Sequence, residues 1–249
     1  MNFFSILKRN LIFKLKKKID IDKDIFQNNT KLEELFKFYK TDKANYINSE
    51  KNIGHGYAQF YEKHFSNLRD KKLNILEIGS YSGASAAAFV KYFKDTNIYC
   101  LDINLTKFLY KSKKIHPFGI DVSNKKMVEK FLKKINFFEG IKSFDIIIDD
   151  GSHILSDQLK AIDYFFKYLN KNGYYVIEDY RFSEYIPHLK DTDDPCIREF
   201  FEILKKNNKK DFKFISVETL ENLKKNSSNI FEYKGNKKLS SIAFIRKLN

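Results

Sequence analysis

From residue 73 the sequence alternates short apolar runs with amphipathic stretches, and no other feature restricts the fold as much. "LNILEIG", "NIYCLDI", "PFGIDV", "FDIIIDD" and "GYYVIED" read as strands, while "ASAAAFVKYF", "KKMVEKFLKKI" and "LSDQLKAIDYFFKYL" read as helices. Strands that are apolar on both faces need cover on both faces, which predicts an α/β fold with a largely parallel sheet between helices. Beyond residue 180 the pattern gives a helix around "CIREFFEILKKN" and a strand-like "FKFISVE". "NIFEYKG" and "SSIAFIRK" then read as a terminal antiparallel pairing. Ahead of the alternation, Thr30 reads as an N-cap with Glu33 closing a capping box, and the helix it opens turns Leu32, Leu35, Phe36 and Tyr39 inward. The predicted division is an N-terminal helical extension over residues 1–66 and one α/β domain over residues 67–249.

A chain of 249 residues buries a sizeable core, and no apolar run approaches the roughly 18–20 residues of a membrane-spanning helix. The opening "MNFFSILKRNLIFKLKKKI" breaks its apolar residues with lysines and has no small-residue cleavage site, unlike a secretory signal. Cys100 and Cys196 lack metal-ligand spacing and build no disulfide framework, a usage that suits the cytoplasm. The net charge of +14 accompanies a composition rich in Lys, Asn, Ile, Phe and Tyr. With no zinc-finger or helix-turn-helix signature, no nucleic-acid partner is expected. One cluster stands apart from this general surplus. Residues 1–19 carry Phe3, Leu7, Leu11, Leu15 and Ile19 at four-residue spacing with Lys8, Arg9, Lys14, Lys16, Lys17 and Lys18 between them, and no acid before Asp20. A basic amphipathic helix of this kind is able to lie on an anionic membrane at its inner face. It is equally able to dock its apolar side on its own domain or on a second subunit of a homo-oligomer. The sequence leaves these fates open.

"LEIGSYSGAS" ends the first strand in an acid and then sets Gly79 and Gly83 in the turn before a helix, where backbone is able to approach a ligand closely. The spacing is not the G-x-G-x-x-G of dinucleotide binding, and no G-x-x-x-x-G-K-[ST] loop for nucleoside triphosphates occurs. The second strand ends in Asp102, about 20 residues on, where a carboxylate accepts both hydroxyls of an unphosphorylated ribose. The third ends in Asp121.

"FDIIIDDGSHI" and "YYVIED" both end in paired acids. Adjacent strand residues point to opposite faces, so Asp149 and Asp150 cannot share one cleft, and Asp150 is the candidate that faces it. If the two strands are neighbours, about 4.8 Å apart, Asp150, Glu178 and Asp179 crowd one corner. Like charges so close call for raised pKa values or for a cation, and oxygen donors suit a hard one such as Mg2+. His153 beside them suits a general base for an alcohol. Alone, Asp150 would read as a solvated charge and His153 as a helix cap; the second acidic strand end favours a site.

The order E-x-G-x-x-x-G, an acid after strand two and an acid after strand three resembles the class I methyltransferases that use S-adenosylmethionine, from residue 73 to the end. The resemblance implies a Rossmann-like fold with a seven-stranded, mostly parallel sheet whose last strand is antiparallel. It places Glu77, Gly79 and Gly83 around the methionine part of the cofactor, Asp102 at the ribose and Asp121 beside the adenine. Tyr81, Ile103, Val122 and Asp149 complete the implied cofactor set. "DIIIDDGSH" followed by "GYYVIED" resembles the metal-dependent sugar O-methyltransferases, including those acting on macrolide deoxysugars, and is similar to the group named after cephalosporin hydroxylase. "KTDKANYINSEKNIGHGYAQFYEKHF" resembles the same subgroup's leading segment. By position, Asp150, Glu178 and Asp179 would hold the metal and His153 would be the base.

The implied acceptor is a sugar hydroxyl, nucleotide-activated or in a bacterial surface polysaccharide precursor. The alternatives are a non-sugar small molecule or natural product, or a non-catalytic cofactor-binding partner subunit. The N/D-P-P-Y/F element of amino-group methylation is missing, with "DDGSH" in its place. Two stretches depart from the family: "GIDVSN" replaces its usual G-D-Q-S-D segment, and "GSYSGAS" is poorer in glycine. In "YRFSEYIPHLKDTDDP", where an acceptor loop would lie, Tyr180, Phe182 and Tyr185 are candidates to stack on a sugar ring or simply to pack.

Overall fold

The computed structural model describes residues 3–47 and 52–248. Met1 and Asn2 of the basic segment and residues 48–51 of the "TDKANYINSEK" stretch lie outside the described residues. Two compact units emerge, residues 1–121 with 235–238, and residues 122–234 with 239–249. The first holds α1 (Phe3–Leu15), β1 (Ile19–Asp20), α2 (Leu32–Tyr39), α3 (Ala58–Phe65), β2 (Lys72–Ile78), α4 (Ala84–Tyr92), β3 (Asp95–Asp102), β4 (Tyr110–Lys111) and β5 (Ile115–Gly119). The second holds α5 (Lys125–Glu139), β6 (Phe144–Asp149), α6 (Leu155–Phe165), β7 (Leu169–Glu178), α7 (Phe182–Tyr185), α8 (Ile197–Lys205), α9 (Val217–Lys224), β8 (Ile230–Lys234) and β9 (Ser241–Arg246).

Seven strands form one sheet in the order β5-β3-β2-β6-β7-β9-β8, while β1 and β4 pair as a separate short ladder. The pairings β2–β3, β3–β5 and β6–β7 are parallel, and β9 runs antiparallel to both β7 and β8. The apolar runs occupy the interior as expected: Ile75, Leu76, Ile98, Leu101, Ile146, Ile147, Ile148, Val176 and Ile177 are all fully buried.

Three local expectations fail, each for a physical reason. Thr30 does not cap α2: Lys31 stands at the N-cap with no side-chain cap bond. The Leu32 N–H donates instead to Glu62 Oε1 of α3 at 2.6 Å, while Glu33 accepts from the Asn45 N–H at 3.0 Å and pairs with Lys37 at 3.2 Å. The third parallel strand lies earlier than "PFGIDV", at Ile115–Gly119, because Ile115 to Gly119 align with Ile98 to Asp102 and Pro117 is tolerated on this edge strand. "FKFISVE" forms no strand. Ser216 is the N-cap of α9, its hydroxyl accepting from the Thr219 N–H at 3.3 Å, and its own N–H donates to Asp163 Oδ1 at 2.8 Å.

The interior of the first unit centres on Phe89 of α4, fully buried with ring centroids 5.5 Å from Phe36, 5.3 Å from Tyr61 and 6.2 Å from Phe93. The ring thereby joins α2 and α3 to α4. Replacing it in Phe89→Ala is expected to destabilise the fold by about 3–5 kcal/mol, read by urea unfolding.

Candidate active site

The glycine turn between β2 and α4 lies wholly in the first unit. Gly79 and Gly83 have φ of 81° and 75°, and Tyr81 between them is also left-handed at 42°. The Gly79 N–H donates to the Leu101 carbonyl at 2.8 Å, and the Gly83 N–H to the Ser80 carbonyl at 2.7 Å. A Cβ at Gly83 would lie 2.5 Å from the Phe108 ring, so glycine is required there both by backbone and by space. Asp102, at the end of β3, is tied into this turn. Its Oδ2 accepts from the Tyr81 N–H at 2.7 Å and its Oδ1 from the Asn104 N–H at 2.6 Å. Each oxygen keeps a further lone pair for a ligand hydroxyl.

Glu77 is buried at 1% exposure and accepts from the Ser85 hydroxyl at the start of α4. Its carboxylate and burial together push the Cys100 thiol up, burial being the larger cause. Tyr81 and Ile103 are exposed, and Asp121 and Val122 are half-buried beyond β5. Sequence reasoning passed over Lys43, a lysine only 2% exposed in the "TDK" segment whose carbonyl accepts the Tyr57 and Ala58 N–H groups. Its signal was present in the family-like T-D-K spelling rather than in any hydrophobic pattern. Nearby in sequence, His55 lies 3.3 Å from the Tyr57 hydroxyl and 3.7 Å from Asp42.

The acidic corner lies wholly in the second unit. In the parallel pairing, Asp149 of β6 stands opposite Ile177 of β7, so both strands run out at one level and shed their acids just beyond. Ligand atoms of Asp150, His153 and Asp179 lie within 4.8 Å of one another. His153 Nε2 is 3.8 Å from Asp150 Oδ1. Two of the three stand on left-handed backbone, His153 at φ 57° and Asp179 at φ 49°. The Asp179 turn is held by its N–H, which donates to the Ser241 carbonyl at 2.6 Å, and the His153 ring packs 5.1 Å from Phe182. Glu178, buried at 2% exposure at the end of β7, is not one of the three clustered groups. His153 does not cap α6. Ile154 is the N-cap, and the Ser156 N–H and hydroxyl both donate to Asp191, at 3.0 and 2.7 Å.

The aromatic loop after β7 divides. Tyr180 is 3% exposed and its hydroxyl donates to Glu232 at 2.9 Å, so it packs rather than presenting a face. Phe182 lies against His153, and Tyr185 is exposed beside the Arg181 guanidinium.

Asp149 points into the protein, as strand alternation requires. Its Oδ1 accepts from the Gly151 N–H at 3.2 Å, but its Oδ2 is buried without a hydrogen-bond partner. His153 Nδ1, both polar atoms of the Gln158 side chain and Ser183 Oγ are buried orphans too, all within residues 149–183. Burial pushes the Asp149 carboxyl from 3.8 up to about 7, against the pull of the Gly151 N–H and with help from the Asp150 and Asp157 charges. Below pH 3.8 the group is neutral in both folded and unfolded chains. From there to about 7 the unfolded chain releases a proton that the folded chain keeps, so this residue costs stability as pH rises. In urea unfolding with EDTA present, the stability of Asp149→Asn relative to wild type is expected to increase across that window and to level off above it.

Residues 76–180 match the methyltransferase-domain family. The chain is 30% identical over 159 residues to 8-demethyl-8-alpha-L-rhamnosyl tetracenomycin-C 2'-O-methyltransferase of Streptomyces olivaceus, covering 61% of this chain and 40% of that protein. It is 28% identical over 171 residues to mycinamicin VI 2''-O-methyltransferase of Micromonospora griseorubida, covering 66% and 39%. The chain thus spans about two fifths of the length of these curated relatives. Among solved structures it is similar to the MycE methyltransferase from the mycinamycin biosynthetic pathway, in complex with Mg and SAH, with a TM-score of 0.64, 23% identity, and coverage of 88% of this chain and 54% of that one. At that identity the likeness is one of fold. Residues 76–180 thus match a methyltransferase-domain family, the fold is Rossmann-like, and the chain resembles the sugar O-methyltransferases.

Proposed function

We propose that this chain transfers a methyl group from S-adenosylmethionine to a hydroxyl of a sugar. The observation that carries the reading is the convergence of Asp150, His153 and Asp179 beyond two parallel strand ends of a methyltransferase fold. The curated relatives named above are themselves O-methyltransferases of glycosylated natural products. In the proposed site, Asp102 receives the ribose hydroxyls, Ile103, Asp121 and Val122 flank the adenine, and Glu77, Gly79, Tyr81 and Gly83 shape the turn around the methionine part.

The donor set of the corner fits a hard divalent cation: two carboxylates and an imidazole converge there. Asp150 and Asp179 would hold Mg2+, without the Glu178 expected from sequence, and the ion when bound would lower the pKa of the acceptor hydroxyl and orient it. The imidazole of His153 takes the hydroxyl proton as the acceptor oxygen bonds to the methyl carbon. The carbon–sulfur bond breaks in the same step, and its electron pair stays on sulfur, which departs as part of a neutral thioether. Phe182 against the ring fixes its orientation, and the Ser241 carbonyl fixes the turn that presents Asp179.

A nucleotide-activated sugar or a surface polysaccharide precursor is the acceptor this reading favours, because the surplus of +14 suits a diphosphate-bearing molecule. One observation favours a second role for His153: a ring nitrogen lies within 4.8 Å of both carboxylates, as a metal ligand would.

His153→Ala separates the roles. As a base, its loss lowers turnover about 10²–10⁴-fold while S-adenosylmethionine and Mg2+ still bind by calorimetry; as a ligand, its loss weakens Mg2+ binding as well. Turnover itself is measured as a gain of one methyl mass across a panel of nucleotide sugars and glycosylated natural products. EDTA is expected to abolish it and Mg2+ to restore it, and full activity in chelator would remove the cation from the account.

A further inference from the structure

One face of the helix α1 packs on the protein. Ile6 is 2% exposed; the Asn10 amide donates to the Gly119 carbonyl at 3.0 Å; Phe13 packs edge-on to Phe108 at 6.0 Å. Arg9 and Lys16 extend the attachment, donating to the Ile103 and Thr106 carbonyls at 3.5 and 2.9 Å. A Cβ at Gly119 would lie 1.6 Å from Asn10 Oδ1, so the helix is seated directly on the backbone of β5. The docking that the sequence allowed is therefore real, but it uses Ile6, Asn10 and Phe13 and not the four-residue leucine repeat.

That repeat faces the other way. Of its members, Leu7, Leu11 and Leu15 are 46%, 55% and 89% exposed. At 3.6 residues per turn they fall within about 80° of arc, on the side away from Ile6 and Phe13, with Lys8 and Lys14 along the two borders. Lys8, Lys14 and Lys17 are exposed, and α1 contains no acid. Among the described residues no helix is long and apolar enough to cross a membrane.

We propose that α1 is a peripheral membrane anchor whose Leu7–Leu11–Leu15 stripe enters the interface of an anionic phospholipid bilayer while Lys8, Lys14 and Lys17 pair with the headgroups. The charge selects this occupant over a second copy of the chain, because a self-paired helix would bring two sets of lysines together with no acid on α1 to answer them. The anchor is independent of the methyl-transfer reading, since it uses the face of α1 opposite the one seated on the domain.

Co-sedimentation of the full chain tests it, with vesicles of phosphatidylcholine alone and of phosphatidylcholine mixed with phosphatidylglycerol. Wild type is expected to pellet with the anionic vesicles, to release in high salt, and to stay in solution with the neutral ones. Leu7→Ser/Leu11→Ser/Leu15→Ser and, separately, Lys8→Glu/Lys14→Glu are expected to lower the bound fraction about tenfold or more, with circular dichroism unchanged because every substituted side chain is exposed. Wild type that stays in solution with anionic vesicles would overturn the proposal, as would variants that pellet like wild type. A vesicle-free dimer dispersed by the leucine substitutions, with no pelleting of wild type, would assign the stripe to a second copy instead.

Discussion

The acidic corner depends on the register between β6 and β7. Asp149 opposite Ile177 brings the two strands to an end at the same level, and every chemical group of the corner follows from that alignment. A slip of one residue would turn Asp149 outward and Asp150 inward, exchanging the buried orphan for the half-buried acid. The register is secured by Ile146, Ile147 and Ile148 on one strand and Tyr175, Val176 and Ile177 on the other, all fully buried. The apolar core of the second unit is thus also the positioning device of its polar end.

Those apolar runs are why so much of the architecture was legible from sequence. Strands buried on both faces leave a continuous hydrophobic signal, and the acids that follow them stand out by contrast. What was not legible involves bonds to partners distant in sequence. Glu62, thirty residues away, takes the Leu32 N–H that a Thr30 cap was expected to satisfy locally. Asp163 holds Ser216 and helps convert an alternating "FKFISVE" into a loop and a helix start. The two-residue ladder of β1 with β4 carries no periodicity at all. In the corner, alternation correctly separated Asp149 from Asp150. That Asp179 turns left-handed and joins Asp150 while Glu178 ends the strand depends on a single backbone torsion that sequence does not encode visibly.

The first helix illustrates a different limit of sequence reading. A leucine every fourth residue was readable as an amphipathic face, but the face that packs is marked by Ile6, Asn10 and Phe13, whose mixed chemistry hides it. The docked side is polar where it meets strand-end carbonyls and apolar where it meets Phe108, so it lacks the uniform stripe that hydrophobic patterning detects.

The left-handed backbone at His153 and Asp179 carries one more consequence. For a residue with a Cβ, that conformation costs roughly 1–2 kcal/mol, and glycine would occupy it without strain. Judged by local stability alone, both positions are better filled by the residue that has no chemistry. The imidazole and the carboxylate are held there against that preference by Phe182 packing on the ring and by the Ser241 carbonyl on the turn. The corner is therefore a place where the chain is less stable than it could be, and a selection for thermal robustness alone would be expected to erase it first.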